Sequence, residues 1–195
     1  MTASRRTVLA AAVSLALLPA AARAGGGGFA VNFEGASLVD QEGRPFSFAP
    51  LAGKVLLVNF VYTGCSTVCP LQTRALAEVQ AALPPAVASR VRFVSVSLDP
   101  LQDTPAALKA FAKTMRADLA RWSFVTGRPT DTARIAQRLS LFRAGPSVTR
   151  PDDHSSSLWA VDAKGRLVQR YAGNPLDPAR LERELTALAQ IVERG

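Results

Sequence analysis

The chain has 195 residues, 48% hydrophobic and 19% charged, with 23 Lys+Arg against 15 Asp+Glu and a formal net charge of +8. That length supports one ordinary domain with a real core, and the apolar share excludes a disordered chain. No apolar run approaches the ~20 residues that span a bilayer, which excludes a polytopic membrane protein. Two cysteines cannot build a disulfide-rich scaffold or a four-cysteine metal cluster, and one histidine excludes any site needing several imidazoles.

Residues 1–24 read as a cleavable secretory signal. Arg5 and Arg6 give a positive start, Val8 to Leu18 is apolar or small apart from Ser14, and Ala22-Arg23-Ala24 offers a cleavage site. Ser4-Arg5-Arg6-Thr7-Val8-Leu9 also resembles the twin-arginine export pattern, so the expected location is the periplasm of a bacterium. Removing the signal takes away three arginines and no acids, leaving +5 over 171 residues. No dense basic run or basic-aromatic interleave points to nucleic acid. The basic surface suits an acidic partner or anionic lipid headgroups instead. Membrane contact is expected only through that surface or a retained signal.

Residues 25–32 are expected to be a flexible leader, and 33–195 a single domain. Ser37 to Phe48 reads as a small hairpin, and Val55 to Tyr62 as a strand buried on both faces. A helix is predicted from Pro70 to Leu83, a second buried strand from Val91 to Leu98, and a helix from Pro105 to Met115 with Thr104 as N-cap. A short strand at Trp122 to Val125 and a helix at Asp131 to Phe142 follow. The chain closes with a hairpin at 157–171 around Asp162-Ala-Lys-Gly165 and an amphipathic helix from Asp177 to Glu193. Strands alternating with helices, then a terminal hairpin and helix, predict an α/β fold: a thioredoxin-like mixed sheet flanked by helices.

Cys65 and Cys69 lie in Tyr62-Thr-Gly-Cys-Ser-Thr-Val-Cys-Pro70, directly after the first buried strand. Ligands bind at the carboxyl ends of strands in open α/β sheets. Pro70 places the helix start near Cys69, where the positive end of the helix favours a thiolate. In an oxidising compartment two such cysteines form a redox dithiol, a metal site or an inert disulfide. A helical i,i+4 spacing is wider than a disulfide wants, and this tilts the reading toward metal. His154, in Arg150-Pro-Asp-Asp-His-Ser-Ser156 just before a strand, would complete an S₂N site suited to copper, with zinc still open on ligands alone. Asp153 is a candidate carboxylate to orient that imidazole. Asp99 and Asp103 are expected to shape the turn after the second strand. Met115, Trp122 and Trp159 are expected in the core or, for the tryptophans, as site walls.

With these residues in place, the chain resembles the Sco/SenC family of copper-binding cytochrome c oxidase assembly proteins. Val61 to Pro70 is similar to the family's YTxCxxxCP signature, and Ser95-Val-Ser-Leu-Asp-Pro-Leu-Gln-Asp-Thr-Pro105 to its SVDPxxDTP stretch with one extra residue. Asp153-His154-Ser155 with Leu158 to Gly165 resembles its DHS element. The resemblance implies one copper, as Cu(I) or Cu(II), bound by Cys65, Cys69 and His154. It implies delivery to the copper-bearing subunit of cytochrome c oxidase, and a partner protein that keeps the thiols reduced. Members commonly carry Pro-Asp between the cysteines, whereas this chain has Ser66-Thr67. The alternative reading is a thiol–disulfide oxidoreductase acting through Cys65 and Cys69 alone. A peroxidase of the peroxiredoxin type is disfavoured because Val58 and Tyr62, not proline, stand seven residues before the two cysteines.

Overall fold

Two largely apolar runs, interrupted by Asn59 in one and by Arg92, Ser95 and Ser97 in the other, set the middle of the molecule. The computed structural model describes residues 28–141 and 156–191. Within it, β3 (Val55–Val61) is buried at every position and β4 (Val91–Ser97) at nearly every one, as strands covered on both faces must be. They pair in parallel, Val55 against Val91 through Val61 against Ser97, and β5 (Trp122–Gly127) extends the parallel set beside β4. The order is β2-β1-β5-β4-β3-β6-β7, with β1 (Leu38–Asp40), β2 (Pro45–Phe46), β6 (Leu158–Val161) and β7 (Leu167–Tyr171) added antiparallel at the edges.

Alternation along β3 divides the core in two. Val55, Leu57 and Val61 face α1 (Val68–Ala82), α3 (Pro105–Thr114) and α5 (Pro178–Ile191), where Leu76, Leu108, Leu181 and Leu185 close the first layer. Leu56, Val58 and Phe60 face the other way, toward Ile135 and Ala136 of α4 (Pro129–Arg138). A single turn, α2 (Pro85–Ala88), links α1 to β4. Thr104 caps α3 as its position predicts, accepting from the Ala107 N–H at 3.2 Å, with Pro105 in the first turn.

One stretch departs from the sequence reading. Residues 29–32, expected within the leader, form with Phe33 a 3-10 turn whose Phe29 and Phe33 are buried in the second layer. Arg138 fastens this turn by donating from Nη1 to the carbonyls of Val31, Asn32 and Glu34. Two phenylalanines just past a glycine run are enough to dock the segment, because burying each aromatic ring gives up about 2–3 kcal/mol of exposure cost. The strand at 122 also runs longer than predicted, to Gly127, since Thr126 and Gly127 pair with Val39 and Leu38 of β1.

Candidate metal and dithiol site

β3 ends at Val61, and the next turn carries Cys65 into the start of α1. Thr67 occupies the N-cap position with no side-chain cap, so the first N–H groups of α1 look elsewhere for acceptors. One finds sulfur: the Cys69 N–H donates to Cys65 Sγ at 3.3 Å. Both cysteines are free thiols, Cys65 partly exposed and Cys69 buried. Because Cys65 sits in the loop and not on the helix, the helical i,i+4 separation does not apply to the pair.

The two thiols have opposite acidities. Partial burial by itself raises Cys65, but N–H donors from Cys69 and Thr67 and the side chains of Cys69 and Tyr62 outweigh it and hold the thiol below its ordinary value. Burial pushes Cys69 up to about 12, and the neighbouring Cys65 sulfur and the Asp103 charge push the same way. The helix-end effect anticipated for the thiol at the start of α1 therefore falls on Cys65, while desolvation overrides it at Cys69.

A buried carboxylate braces this loop. Asp103 is fully buried and accepts from the Thr63 N–H at 2.8 Å, from Thr63 Oγ1 at 2.6 Å and from Ser97 Oγ at 2.6 Å. It thereby ties the residues before Cys65 to the β4–α3 turn. Sequence reasoning assigned Asp103 to that turn and missed its second grip, which joins residues 40 apart. Asp99 shapes the turn as expected, its carbonyl accepting from the Gln102 and Asp103 N–H groups.

A second buried network runs through the sheet to the same helix. Trp122 Nε1 donates to Ser95 Oγ, Ser95 Oγ to Asn59 Oδ1, and Asn59 Nδ2 to Gln72 Oε1, at 2.7–3.0 Å. Gln72 Nε2 then donates to the Ser156 carbonyl at 2.7 Å and the Gly173 carbonyl at 3.2 Å. Gly173 must be glycine here, since a Cβ would overlap both Ser156 O and Gln72 Nε2. Gln72 stands three residues after Cys69, about one helical turn away. The chain at Ser156 is thus held against α1 two residues beyond His154 in sequence. His154 and Asp153 themselves lie outside the described residues. Met115 and both tryptophans are buried core residues, Met115 at the far end of α3. Among the described residues no group of three metal-ligating side chains gathers.

Chemically, the described part of the site supplies two soft sulfur donors with no disulfide between them, one more acidic than an ordinary thiol. Such a donor pair fits copper and equally fits disulfide exchange.

The family model for SCO1/SenC matches residues 29–190. The chain belongs to the SCO1/SenC family. A SCO1 protein homolog of Bacillus subtilis (strain 168) is 33% identical over 138 residues, covering 69% of this chain and 70% of that protein. Among solved structures, a SCO1/SenC family lipoprotein from Bacillus anthracis str. Ames superposes with a TM-score of 0.66 at 29% identity, over 78% of this chain and 92% of that one. Bradyrhizobium japonicum ScoI with copper bound gives 0.63 at 26% identity, over 78% and 96%. BsSco, a member of the Sco family of cytochrome c oxidase assembly proteins in which a disulfide switch was identified, gives 0.66 at 27% identity, over 79% and 91%. The mixed sheet with its flanking helices is therefore the Sco thioredoxin-like fold, and proteins of this family are associated with copper and with cytochrome c oxidase assembly.

Proposed function

We propose that this SCO1/SenC protein is an exported copper chaperone that binds one copper ion through Cys65, Cys69 and His154 and passes it to the copper-bearing subunit of cytochrome c oxidase. The observation that carries the reading is the pair of unbonded thiols at the start of α1, one acidified and partly exposed, the other buried. Cys65 offers a thiolate to arriving Cu(I). Cys69 gives up its proton as the metal takes its place, and His154 closes the site. Three ligands leave the ion open to an incoming thiolate, so transfer proceeds by stepwise ligand exchange. Asp153 is proposed to orient the imidazole. Residues 1–24 act as the export signal, and the domain works in the periplasm.

Leu71 and Leu101, 65% and 75% exposed, stand at this end of the sheet, on α1 and the β4–α3 turn. They offer apolar anchors to a docking protein beside the sulfurs. The copper reading is supported by copper-bound Bradyrhizobium japonicum ScoI, and the oxidase recipient by BsSco.

A second reading rests on the unequal thiols. Cys65 as thiolate attacks a target disulfide and releases one target thiolate; Cys69, losing its proton, attacks the mixed disulfide. That releases the second target thiolate and leaves a Cys65–Cys69 disulfide, for an exported partner to reduce. The test separates the two. The reduced chain is titrated with Cu(I) and assayed for disulfide reduction, beside Cys65→Ser and His154→Ala. About one copper per chain, lost in Cys65→Ser and weakened in His154→Ala, supports the chaperone. No copper uptake, with disulfide reduction unchanged in His154→Ala, replaces it with the reductase.

A further inference from the structure

The end of the sheet opposite the cysteines carries a surface of a different kind. The parallel strands begin there, and β3 alone separates the two ends by roughly 20 Å. An apolar groove of about 460 Å³ opens at this end, with Val31, Phe48, Leu51 and Leu56 on its walls and Lys54 and Lys164 at its rim. Val31 is 43% exposed, and Leu167 nearby in the β6–β7 hairpin 49%.

Cations collect around it. Lys54 Nζ and Arg92 Nη1 both donate to the Ser89 carbonyl at 3.1 Å, so their charges lie side by side. Arg92 also pairs in register with Leu56, which places it beside the groove wall. Arg138 reaches the same 3-10 turn that supplies Val31. Among the described residues, none of the ion pairs engages Lys54, Arg92, Arg138 or Lys164. Among the described residues lining the groove the acids are Glu34 and Asp162, and Asp162 is already held by Arg166 at 2.7 Å. None of the four is held by a carboxylate in those ion pairs: the side-chain hydrogen bonds of Lys54, Arg92 and Arg138 go to backbone carbonyls.

The chain also enters the domain here. Gly28 lines the groove, and the Phe29 N–H donates to Gly165 O in the opposite wall. Ahead of Gly28 come the glycines of residues 25–27, then the apolar run that follows Arg5 and Arg6. A segment with affinity for a bilayer therefore joins the domain at its basic, apolar-slotted end, while the dithiol lies at the other.

We propose that this end is a membrane-facing surface that rests on anionic phospholipid headgroups, with Lys54, Arg92, Arg138 and Lys164 against the phosphates and the groove of Val31, Phe48 and Leu51 turned to the lipid. The occupant is a lipid surface because the positive charge is spread around an apolar slot and because the export signal, while attached, leads from the membrane into the domain at this end. In this orientation the cysteines point away from the bilayer, open to a partner. The proposal does not depend on which metal or disulfide chemistry the cysteines perform.

The test is cosedimentation of the full chain with phosphatidylcholine vesicles, with and without phosphatidylglycerol. The wild type is compared with Lys54→Gln/Arg92→Gln/Lys164→Gln and with a control of equal net charge away from the groove, Arg74→Gln/Lys109→Gln/Arg180→Gln. Each cation near an anionic surface contributes about fivefold, so the groove variant is expected to lose about a hundredfold in affinity for the anionic vesicles, and the control far less. Unchanged circular dichroism and thermal midpoint show that the groove variant is folded. If it is not, Lys54→Gln/Lys164→Gln, which leaves Arg92 on its carbonyls, is used and should lose about twentyfold. Equal binding to both vesicle types by the wild type, or equal losses in the groove and control variants, overturns the proposal, the first pointing to an acidic protein as the partner.

Discussion

The two ends of the central sheet are built on opposite principles. At the carboxyl ends of β3 and β4, buried polar side chains are matched in two networks: Asp103 with Thr63 and Ser97, and Asn59 with Ser95 and Gln72, Gln72 also with two carbonyls, while Thr73 Oγ1 on α1 stands without a partner. At the amino ends, Lys54 and Lys164 stand at the rim of an apolar groove, without carboxylate partners among the described residues. Buried matched groups fix positions, because any displacement leaves a partner unsatisfied in a low dielectric. Exposed cations fix nothing but supply a field. The first end is suited to holding two sulfur atoms in place, the second to meeting a charged surface whose details do not matter.

The largest effect that would test this contrast is at Asp103. Asp103→Ala strands the Thr63 N–H, the Thr63 hydroxyl and the Ser97 hydroxyl, and should cost about 3 kcal/mol in chemical denaturation. Lys54→Gln, measured the same way, should stay within about 0.5 kcal/mol. Comparable costs would erase the distinction between the ends. Gln72→Leu comes next, at about 2 kcal/mol, since it leaves the Ser156 and Gly173 carbonyls and Asn59 Nδ2 without their partner. If the Ser156 strand entry also positions the expected imidazole, the same variant weakens copper binding, which a competition titration reads separately from stability.

A smaller effect lies in alkaline pH. Cys69 keeps its proton in the folded chain to about 12, against a reference value of 9.0 when unfolded. A group raised on folding contributes stability that is full below its unfolded value and is lost as pH rises through its folded value. Reduced wild-type protein should therefore lose stability between pH 9 and about 12, and Cys69→Ala should show a shallower decline. Tyr171, raised by burial and its bond to Glu184, titrates in the same direction and accounts for part of what remains. Identical slopes would show that Cys69 is not shielded from water. In the same range Cys65, held low, should be alkylated first at every pH.

Much of this was legible in the sequence, and the exceptions have one cause. β3 announced itself as a largely apolar run and β4 as a Val-rich one, and Pro70 placed the start of α1 within two residues of where it lies. Thr104-Pro105 marked the start of α3 by its capping chemistry. What stayed hidden were contacts between distant positions: Asp103 to Thr63 across 40 residues, Gln72 to Ser156 across 84, Arg138 to the turn at Phe29–Phe33. Local pattern carries no signal for these, since a buried aspartate after a strand and a solvated one in a turn read alike until the fold brings their partners together. The unequal acidity of the cysteines belongs to the same class. Spacing placed both near a helix end, but only packing decides that Cys69 is buried and Cys65 is not.

The central claim is that the well-braced end holds copper between two sulfurs and one imidazole. Copper-edge X-ray absorption on the reduced, Cu(I)-loaded chain, beside His154→Ala, tests it most directly. The account predicts two sulfur neighbours and one imidazole nitrogen in the wild type, with both sulfurs kept and the nitrogen gone in the variant. Fewer than two sulfurs in the wild type, or an unchanged spectrum in His154→Ala, would contradict it.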